Sequence, residues 1–351
     1  MNFSKEITDW YFNNKRDLPW RNTRDPYKIW LSEIILQQTK VEQGLPYYLK
    51  FCDTFPTIKD LANADEQTVL KLWQGLGYYS RARNLHFTSK QIIKNHNGTF
   101  PKTYKEIIAL KGVGEYTAAA ISSFAYNLPY AVVDGNVFRV LSRYFGIKTA
   151  INSGKGKKIF NELAQNLLDE NSPDIHNQAI MEFGAIQCKP KNPNCNECCL
   201  KDNCIAMNEN IQSTLPYKIK SAKTKQLYIE YFYMQFDSGT FIKKRVESGI
   251  WKNLYEFPNL EFSSKQTDNT IINEIVKNKW INEGKFKIEA ISQEYIHLLS
   301  HRKIHARIWK IRCDEKPNVQ KWNSIVLSQF NNYPMSKLME SLLKSSIFKK
   351  Q

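Results

Sequence analysis

The sequence lacks any apolar run close to the roughly twenty residues that a membrane-spanning helix needs. Its first six residues (MNFSKE) are mostly polar and do not resemble a signal peptide. Tandem repeats and low-complexity tracts are lacking as well. The sequence therefore lacks the features that are typical of secreted, membrane-spanning or repeat proteins. We therefore expect a soluble protein without membrane association.

Acidic residues are scarce relative to basic ones, because 34 Asp and Glu face 50 Lys and Arg, giving a formal net charge of +16. This excess favours a polyanionic partner, and charge alone leaves nucleic acid and an anionic membrane both open. The length of 351 residues exceeds the usual size of one compact domain. It predicts two domains, each with its own core.

The cysteines lack the pattern of a disulfide framework. They number seven, and five of them crowd between residues 188 and 204, which is typical of a metal or cluster site in a reducing compartment. We therefore expect a cytoplasmic protein. Four have the spacing C-x6-C-x2-C-x5-C, namely Cys188, Cys195, Cys198 and Cys204. Four thiolates bind a [4Fe–4S] cluster or zinc, and structural zinc usually has two C-x2-C pairs where this sequence has one, which favours the [4Fe–4S] cluster.

Strand-like alternation is nearly absent from residues 1–207, whose apolar spacing predicts helices instead. The predicted helices cover 29–38, 66–72, 104–111, 116–126 and 137–145. The polar, lysine-containing stretch 208–226 is typical of an interdomain linker. Within 227–351, aromatic and β-branched runs such as 227–236 and 304–308 predict strands. The expected fold class is thus α+β, with an all-α domain followed by a smaller β-containing domain.

Two glycines, Gly112 and Gly114, lie in a turn between predicted helices. The turn is either an ordinary helix connection or a loop that presents N–H groups to a phosphate. Further on, Asp134 precedes the helix that begins at Val137, and an N-cap is the common role of aspartate there. This hairpin, the aspartate and the four-cysteine loop, in this order, resemble the iron–sulfur branch of the helix-hairpin-helix DNA glycosylase superfamily.

That resemblance implies that Asp134 is catalytic. Breaking an N-glycosidic bond builds positive charge on the sugar, and an ionised carboxylate stabilises or captures that charge. We expect the N-terminal amides of the following helix to keep Asp134 deprotonated.

Residues 17–21 (DLPWR) and 30–39 (WLSEIILQQT) resemble the adenine-specific, MutY-type members of this superfamily more closely. The resemblance implies hydrolysis of adenine mispaired with 8-oxoguanine or guanine in double-stranded DNA. Glu33 lies among apolar helix residues, so we expect a partly buried carboxyl with a raised pKa that protonates adenine N7. The alternative is an ordinary solvated helix glutamate.

By the same resemblance, Tyr116 and Asn136 assist the catalytic aspartate, and Arg21 and Gln178 hold the extruded base. The lyase members of the superfamily have a lysine nucleophile where this sequence has Tyr116. Without that amine no Schiff base forms, so we expect hydrolysis without strand scission. Two alternatives stay open: a bifunctional oxidised-pyrimidine glycosylase with lyase activity, and a non-catalytic iron–sulfur DNA-binding protein.

Adenine inside a duplex is inaccessible, so the nucleotide must be flipped out and its place filled by inserted side chains. Gln38 and Tyr78 match the inserting positions of the family, and Thr39 belongs to the same DNA-contacting set. A core aromatic residue beside a glycine turn is the alternative for Tyr78. The nearby Arg81 and Arg83 favour a DNA-facing surface.

Residues 249–258 (GIWKNLYEFP) and 299–301 (LSH) resemble the lesion-recognition domain of adenine glycosylases, which is similar in fold to Nudix hydrolases. The glutamate-rich Nudix box is missing, so this domain is expected to recognise rather than cleave. Ser300 and His301 would distinguish 8-oxoguanine from guanine at N7 and O8, although a histidine beside a strand is often structural. We expect a monomer that works at the nucleoid of a bacterial-type cytosol.

Overall fold

The computed structural model describes residues 3–219, 224–319 and 322–348. Residues 220–223, which fall in the predicted linker, lie outside the described residues. The domain boundaries predicted at residues 207 and 227 stay a prediction.

By internal contact the chain forms two compact units. The first contains Met1–Asn63 and Asn84–Ser221, and the second contains Ala64–Arg83 and Ala222–Gln351, in each case over the described residues. A short segment from the helical part of the sequence, Ala64–Arg83, therefore packs with the C-terminal part of the chain.

Helices make up the regular structure of the described residues before residue 209. They are α1 Phe3–Asn14, α2 Pro26–Leu36, α3 Val41–Thr54, α4 Ile58–Asn63, α5 Glu66–Trp73, α6 Ser80–His96, α7 Tyr104–Ile108, α8 Glu115–Tyr126, α9 Gly135–Tyr144, α10 Gly154–Leu167, α11 Pro173–Glu182 and α12 Ile205–Asn208. Short turns of 3-10 helix lie at Pro19–Arg21 and Lys201–Asn203, and a π-helical turn covers Phe183–Gln187. The predicted all-α character of this part is confirmed. In the described residues no helix has both the length and the apolar character to cross a membrane.

Apolar residues at helical spacing build the core of the first unit. Phe3, Ile7 and Tyr11 repeat every four residues along one face of α1 and are buried. They belong to the same buried cluster as Val137 and Leu141 of α9. Each such side chain contributes about 1.5–3 kcal/mol when it leaves water, so this cluster fixes the position of α9 and of the aspartate that precedes it.

In the described residues from 224 onward, two sheets, two α-helices and short 3-10 turns at Leu327–Asn332 and Ser346–Phe348 form the C-terminal part of the second unit. Its elements are β1 Lys225–Gln235, β2 Gly239–Lys244, β3 Tyr255–Glu256, β4 Asn259–Phe262, α13 Asp268–Lys277, β5 Phe286–Ile291, β6 Tyr295–Leu298, β7 Arg302–Cys313, β8 Asn323–Val326 and α14 Lys337–Leu343. The larger sheet has the order β4-β1-β7-β5, with β6 also paired to β7, and the smaller has the order β3-β2-β8. The predicted α+β class is confirmed.

Strands β1 and β7 run parallel at the centre of the larger sheet, while the other strand pairs are antiparallel. The middle of β1 is buried on both faces, as expected for a central strand. Ile271 and Ile275 of α13 join Phe232 and Trp309 of the sheet in one buried cluster. This core supports the β6–β7 hairpin, whose tip carries Ser300 and His301.

Candidate active site

Glu33 is held inside the first unit by an almost wholly apolar helix. Helix α2 begins after Asp25, whose side chain accepts a hydrogen bond from the Tyr27 N–H, and buries Trp30 and Ile34 beside Glu33. Glu33 itself is only 7% exposed, so the solvated alternative is wrong for its position. Burial raises its pKa to about 7, a hydrogen bond with Tyr116 lowers it, and the negative charge of Asp134 raises it.

Asp134 is the N-cap of α9. Its Oδ1 accepts hydrogen bonds from the backbone N–H groups of Asn136 and Val137, both at 2.8 Å, and its Oδ2 accepts from Asn136 Nδ2 at 2.7 Å. Burial raises the pKa of Asp134, and these hydrogen bonds lower it. Burial is the stronger influence, so the pKa of Asp134 lies above its ordinary value in spite of these hydrogen bonds. That Asp134 stays deprotonated remains a prediction.

One cleft of about 830 Å³, which we call the carboxylate cleft, gathers most of the predicted catalytic and base-holding residues. Those that line it are Arg21, Glu33, Thr39, Tyr116, Asp134, Asn136 and Gln178. Burial, followed by the charges of Glu33 and Asp134, raises the pKa of Tyr116 well above 10. The phenol is therefore neutral, and it is hydrogen-bonded to the Glu33 carboxyl. Tyr11 donates to Gln178 Oε1 at 2.9 Å, which leaves the Gln178 amide NH2 to serve another acceptor.

The wall of the cleft contains a cluster of charged side chains, Arg16, Arg21 and Glu182, which the sequence analysis did not predict as a cluster. Arg16 donates to the Glu182 carboxylate from Nε at 2.7 Å and from Nη2 at 2.8 Å, and Arg21 Nη2 donates to Oε2 at 2.7 Å. Burial alone would raise the pKa of Glu182, but the hydrogen bonds from both arginines bring it to about 2. Arg16 and Glu182 are far apart in sequence, so no local pattern signals their pairing.

Arg139 is a further functional residue that the sequence analysis did not predict. Its Nη2 donates to Asn136 Oδ1 at 2.9 Å and to the Gly184 carbonyl at 2.6 Å, and its Nε donates to the Cys188 carbonyl at 2.7 Å. One buried guanidinium thus joins the cap of α9 to the start of the cysteine loop. An arginine on the buried face of a predicted helix is the one signal that pointed to it.

The four predicted cysteine ligands surround a single cavity. Cys188, Cys195, Cys198 and Cys204 all line this space of about 440 Å³ among mainly apolar neighbours, whereas the exposed Cys199 does not. Arg143 Nη1 lies 3.4 Å from Cys188 Sγ and donates to the Lys189 carbonyl at 2.7 Å. Across the described residues, no three Cys, His, Asp or Glu side chains form a ready site for one metal ion.

The glycine hairpin lies between α7 and α8, outside the carboxylate cleft. Gly112 has a φ of +83°, and a Cβ on it would come within 2.8 Å of the Asn84 side chain, so only glycine fits there. Gly114 is the N-cap of α8 and supplies no side chain to the first N–H groups of that helix. Lys111 lies over the exposed Phe87 ring, 4.2 Å from its centroid.

The two predicted inserting residues occupy strained turns. Gln38 has a φ of 55° just after α2, and Tyr78 has a φ of 47° and is 45% exposed. Tyr78 is therefore a surface residue, not a core aromatic. Arg81 is buried with its guanidinium 5.0 Å from the Trp73 ring, and Arg83 donates to the Lys252 carbonyl at 2.9 Å. The expectation that these arginines indicate a DNA-facing surface is wrong for Arg81.

Ser300 and His301 are exposed at the turn between β6 and β7. The Leu299 N–H donates to the Arg302 carbonyl at 2.8 Å and closes this turn. Ser300 Oγ lies 3.4 Å from His301 Nδ1, and Leu298 beside them is 71% exposed. Both polar side chains thus stand at the tip of a hairpin, with an apolar neighbour facing solvent.

Comparison with known families gives two matches along the chain. Residues 31–167 match the HhH-GPD superfamily of base excision DNA repair proteins, and residues 231–345 match the NUDIX domain. A solved structure of a thermostable thymine-DNA glycosylase is similar with a TM-score of 0.55 and 32% identity, over 59% of this chain and 95% of that one. An endonuclease III–DNA complex, at 20% identity and a TM-score of 0.52, shares the fold of the helical part.

Three curated relatives that match most of this chain are each named adenine DNA glycosylase. The adenine DNA glycosylase of Buchnera aphidicola subsp. Baizongia pistaciae is 38% identical over 88% of this chain and 86% of its own length. That of Buchnera aphidicola subsp. Schizaphis graminum is 34% identical over 86% and 85%. The Arabidopsis thaliana adenine DNA glycosylase is 33% identical over 86% of this chain and 56% of its own. The chain belongs to the adenine DNA glycosylase family.

Proposed function

We propose that this adenine DNA glycosylase of base excision repair removes adenine paired with 8-oxoguanine or guanine, by hydrolysis and without cutting the strand. The observation that carries the proposal is the pairing of two unlike carboxyl groups in the carboxylate cleft. Glu33 has a pKa of about 7, so it keeps a proton near neutral pH, while Asp134 accepts three hydrogen bonds suited to a carboxylate.

In the proposed reaction Glu33 donates its proton to adenine N7 as the bond between N9 and C1′ breaks. Adenine leaves with the electron pair of that bond, and positive charge builds on the sugar. Asp134 stabilises this charge, held in place by Asn136 and the amides of α9. Water then adds its oxygen to C1′ and returns a proton to Glu33. Tyr116 is hydrogen-bonded to the Glu33 carboxyl and offers no amine for a Schiff base.

The proposed contacts with DNA are spread over several elements. Arg21 and Gln178 hold the extruded adenine, since both line the carboxylate cleft. Tyr78 fills the vacated place in the stack, with Gln38 and Thr39 beside the base, and the N–H groups at the hairpin bind a phosphate. These backbone-presenting residues are Gly112 and Gly114.

Ser300 and His301 are proposed to read the base opposite adenine. 8-Oxoguanine differs from guanine by an N7–H donor and an O8 acceptor, and a hydroxyl beside an imidazole can serve both. Their exposure at a closed hairpin tip supports this role.

We further propose that the four cysteines of the loop hold a [4Fe–4S] cluster. The donor set fits, because four thiols line one mainly apolar cavity and the fifth cysteine of the loop does not line it. With all iron sites bound by protein, such a group supplies rigidity to the loop rather than a reacting atom. Iron and acid-labile sulfide in purified protein, lost when Cys198→Ser replaces one ligand, would support this assignment.

The chain is proposed to act as a monomer on double-stranded DNA, without a membrane, at the nucleoid of a bacterial-type cytoplasm. The net charge of +16 suits a polyanionic substrate.

The deciding experiment offers duplexes with adenine opposite 8-oxoguanine, guanine or thymine and measures free adenine and strand breaks, with and without alkali. We expect release fastest opposite 8-oxoguanine, breaks only after alkali, and no covalent trapping by borohydride. Glu33→Gln and Asp134→Asn should abolish release but retain binding. Trapping or alkali-independent breaks would indicate the bifunctional alternative, and binding without release by the unaltered chain would indicate a non-catalytic DNA-binding protein.

A further inference from the structure

The turn that carries Tyr78, which we call the wedge turn (residues 74–79), is tightly wound. Gly75 and Gly77 have φ values of 102° and 74°, and Tyr78 follows with 47°. Such backbone is costly for a tyrosine, so it persists only where neighbouring contacts hold it. Tyr78 points nearly half of its surface to solvent, while the next residue, Tyr79, is buried.

Tyr79 ties the wedge turn to the end of the chain. Its phenol donates to the Met335 carbonyl at 2.7 Å and accepts from the Gly75 N–H at 3.4 Å. Gln74, at the other end of the turn, accepts from the Met335 N–H at 3.3 Å and donates to the Glu340 carboxylate on α14. Both ends of the turn are thus fixed to residues 335–340.

The flanks of the wedge turn are tied to the same unit. Arg83 donates to the Lys252 carbonyl at 2.9 Å, and Asn253 Nδ2 donates to Glu66 Oε1 at 2.5 Å. These contacts explain why the segment Ala64–Arg83 groups with the C-terminal part of the chain.

From these contacts we infer that Gln74 and Tyr79 are positioning residues, through which residues 335–340 hold Tyr78 ready to enter the base stack. The inference rests on the proposed function, in which Tyr78 is the inserted side chain. It gives the C-terminal part of the chain a share in extruding adenine, whatever base lies opposite. Because Tyr78 is already held in its inserting position, less conformational entropy is lost when it enters the stack, and base extrusion costs less free energy.

The test uses duplexes in which the fluorescent analogue 2-aminopurine replaces the target adenine, so that emission rises when the base leaves the stack. Stopped-flow measurements compare unaltered protein, Tyr79→Phe and Glu340→Ala. Tyr126→Phe is the matched control, because its phenol also donates to a backbone carbonyl, that of Phe100 at 3.3 Å, within the first unit. We expect Tyr79→Phe to reduce extrusion about fivefold, the worth of a typical buried hydrogen bond, and Tyr126→Phe to leave it unchanged.

A double-mutant cycle separates positioning from simple support of the fold. In a Tyr78→Ala background no inserted side chain remains to be positioned, so we expect Tyr79→Phe and Glu340→Ala to have no further effect there. Effects that multiply with Tyr78→Ala, or a Tyr79→Phe protein that extrudes the base as well as the unaltered chain, would overturn the inference alone. Unaltered protein that raises no emission would overturn the proposed function, and the inference with it.

Discussion

Replacing Glu33 by glutamine should make the protein inactive and, at alkaline pH, more stable. The pKa of Glu33 is raised from 4.5 to about 7 by burial, so the folded state binds its proton more tightly than the unfolded state. Folding stability is then lost as pH rises from 4.5 toward 7 and stays lost above it. At about 1.4 kcal/mol per pKa unit the full cost approaches about 3 kcal/mol. Glutamine resembles the protonated acid and does not titrate.

Urea unfolding of the two proteins between about pH 5.5 and about pH 8.5 measures this cost. Over that interval the stability advantage of Glu33→Gln should grow by about 2 kcal/mol, since part of the loss already occurs below pH 5.5. Glu162→Gln is the matched control, because Glu162 is an exposed helix glutamate, 3.9 Å from Lys158, and its loss should change stability by less than about 1 kcal/mol at either pH. A difference between Glu33→Gln and unaltered protein that does not change with pH would refute the buried, proton-holding role of Glu33.

Three further predictions concern the same unit. Single-turnover release of adenine should fall as pH rises above about 7, because only protonated Glu33 donates; a rate that stays level to pH 9 would contradict the general-acid role. Gly112→Ala should lower the melting temperature and weaken DNA binding more than Gly114→Ala. Only Gly112 has a positive φ and lacks room for an added Cβ. Equal effects of the two variants in gel-shift and melting measurements would count against the hairpin geometry. Glu182→Gln should cost about 3 kcal/mol in urea unfolding, because it removes the buried charge that pairs with two half-buried arginines. It should also raise KM as Arg21 loses its partner, and an unchanged KM would separate Arg21 from base binding.

Local patterns predicted much of the candidate site. Asp134 before an apolar helix indicated an N-cap, and Glu33 among apolar neighbours indicated a buried carboxyl, because helix periodicity and capping are properties of short segments. Both are found as predicted. The net effect on the Asp134 pKa was not predictable in this way, since it depends on how much of the surrounding fold covers the carboxylate.

Contacts between residues far apart in the sequence could not be predicted from local sequence patterns. The pairing of Arg16 and Arg21 with Glu182 requires α11 to pack near the N-terminal helices, and nothing in either segment specifies this. The burial of Arg81 under its aromatic neighbour is of the same kind. Basic residues near a glycine turn suggest a phosphate-binding surface, yet a guanidinium stacks on an indole equally well.

The grouping of Ala64–Arg83 with the end of the chain has a consequence for the order of folding during synthesis. A ribosome that adds about 5–20 residues per second needs about 10 to 50 s to pass from residue 83 to residue 335. Throughout this interval Tyr79 is already part of the growing chain, whereas Met335, whose carbonyl accepts its hydrogen bond in the finished protein, has not yet been added. An early helical segment thus completes its native contacts among the last events of synthesis, and a truncation before Met335 would remove contacts of a turn near the beginning of the chain.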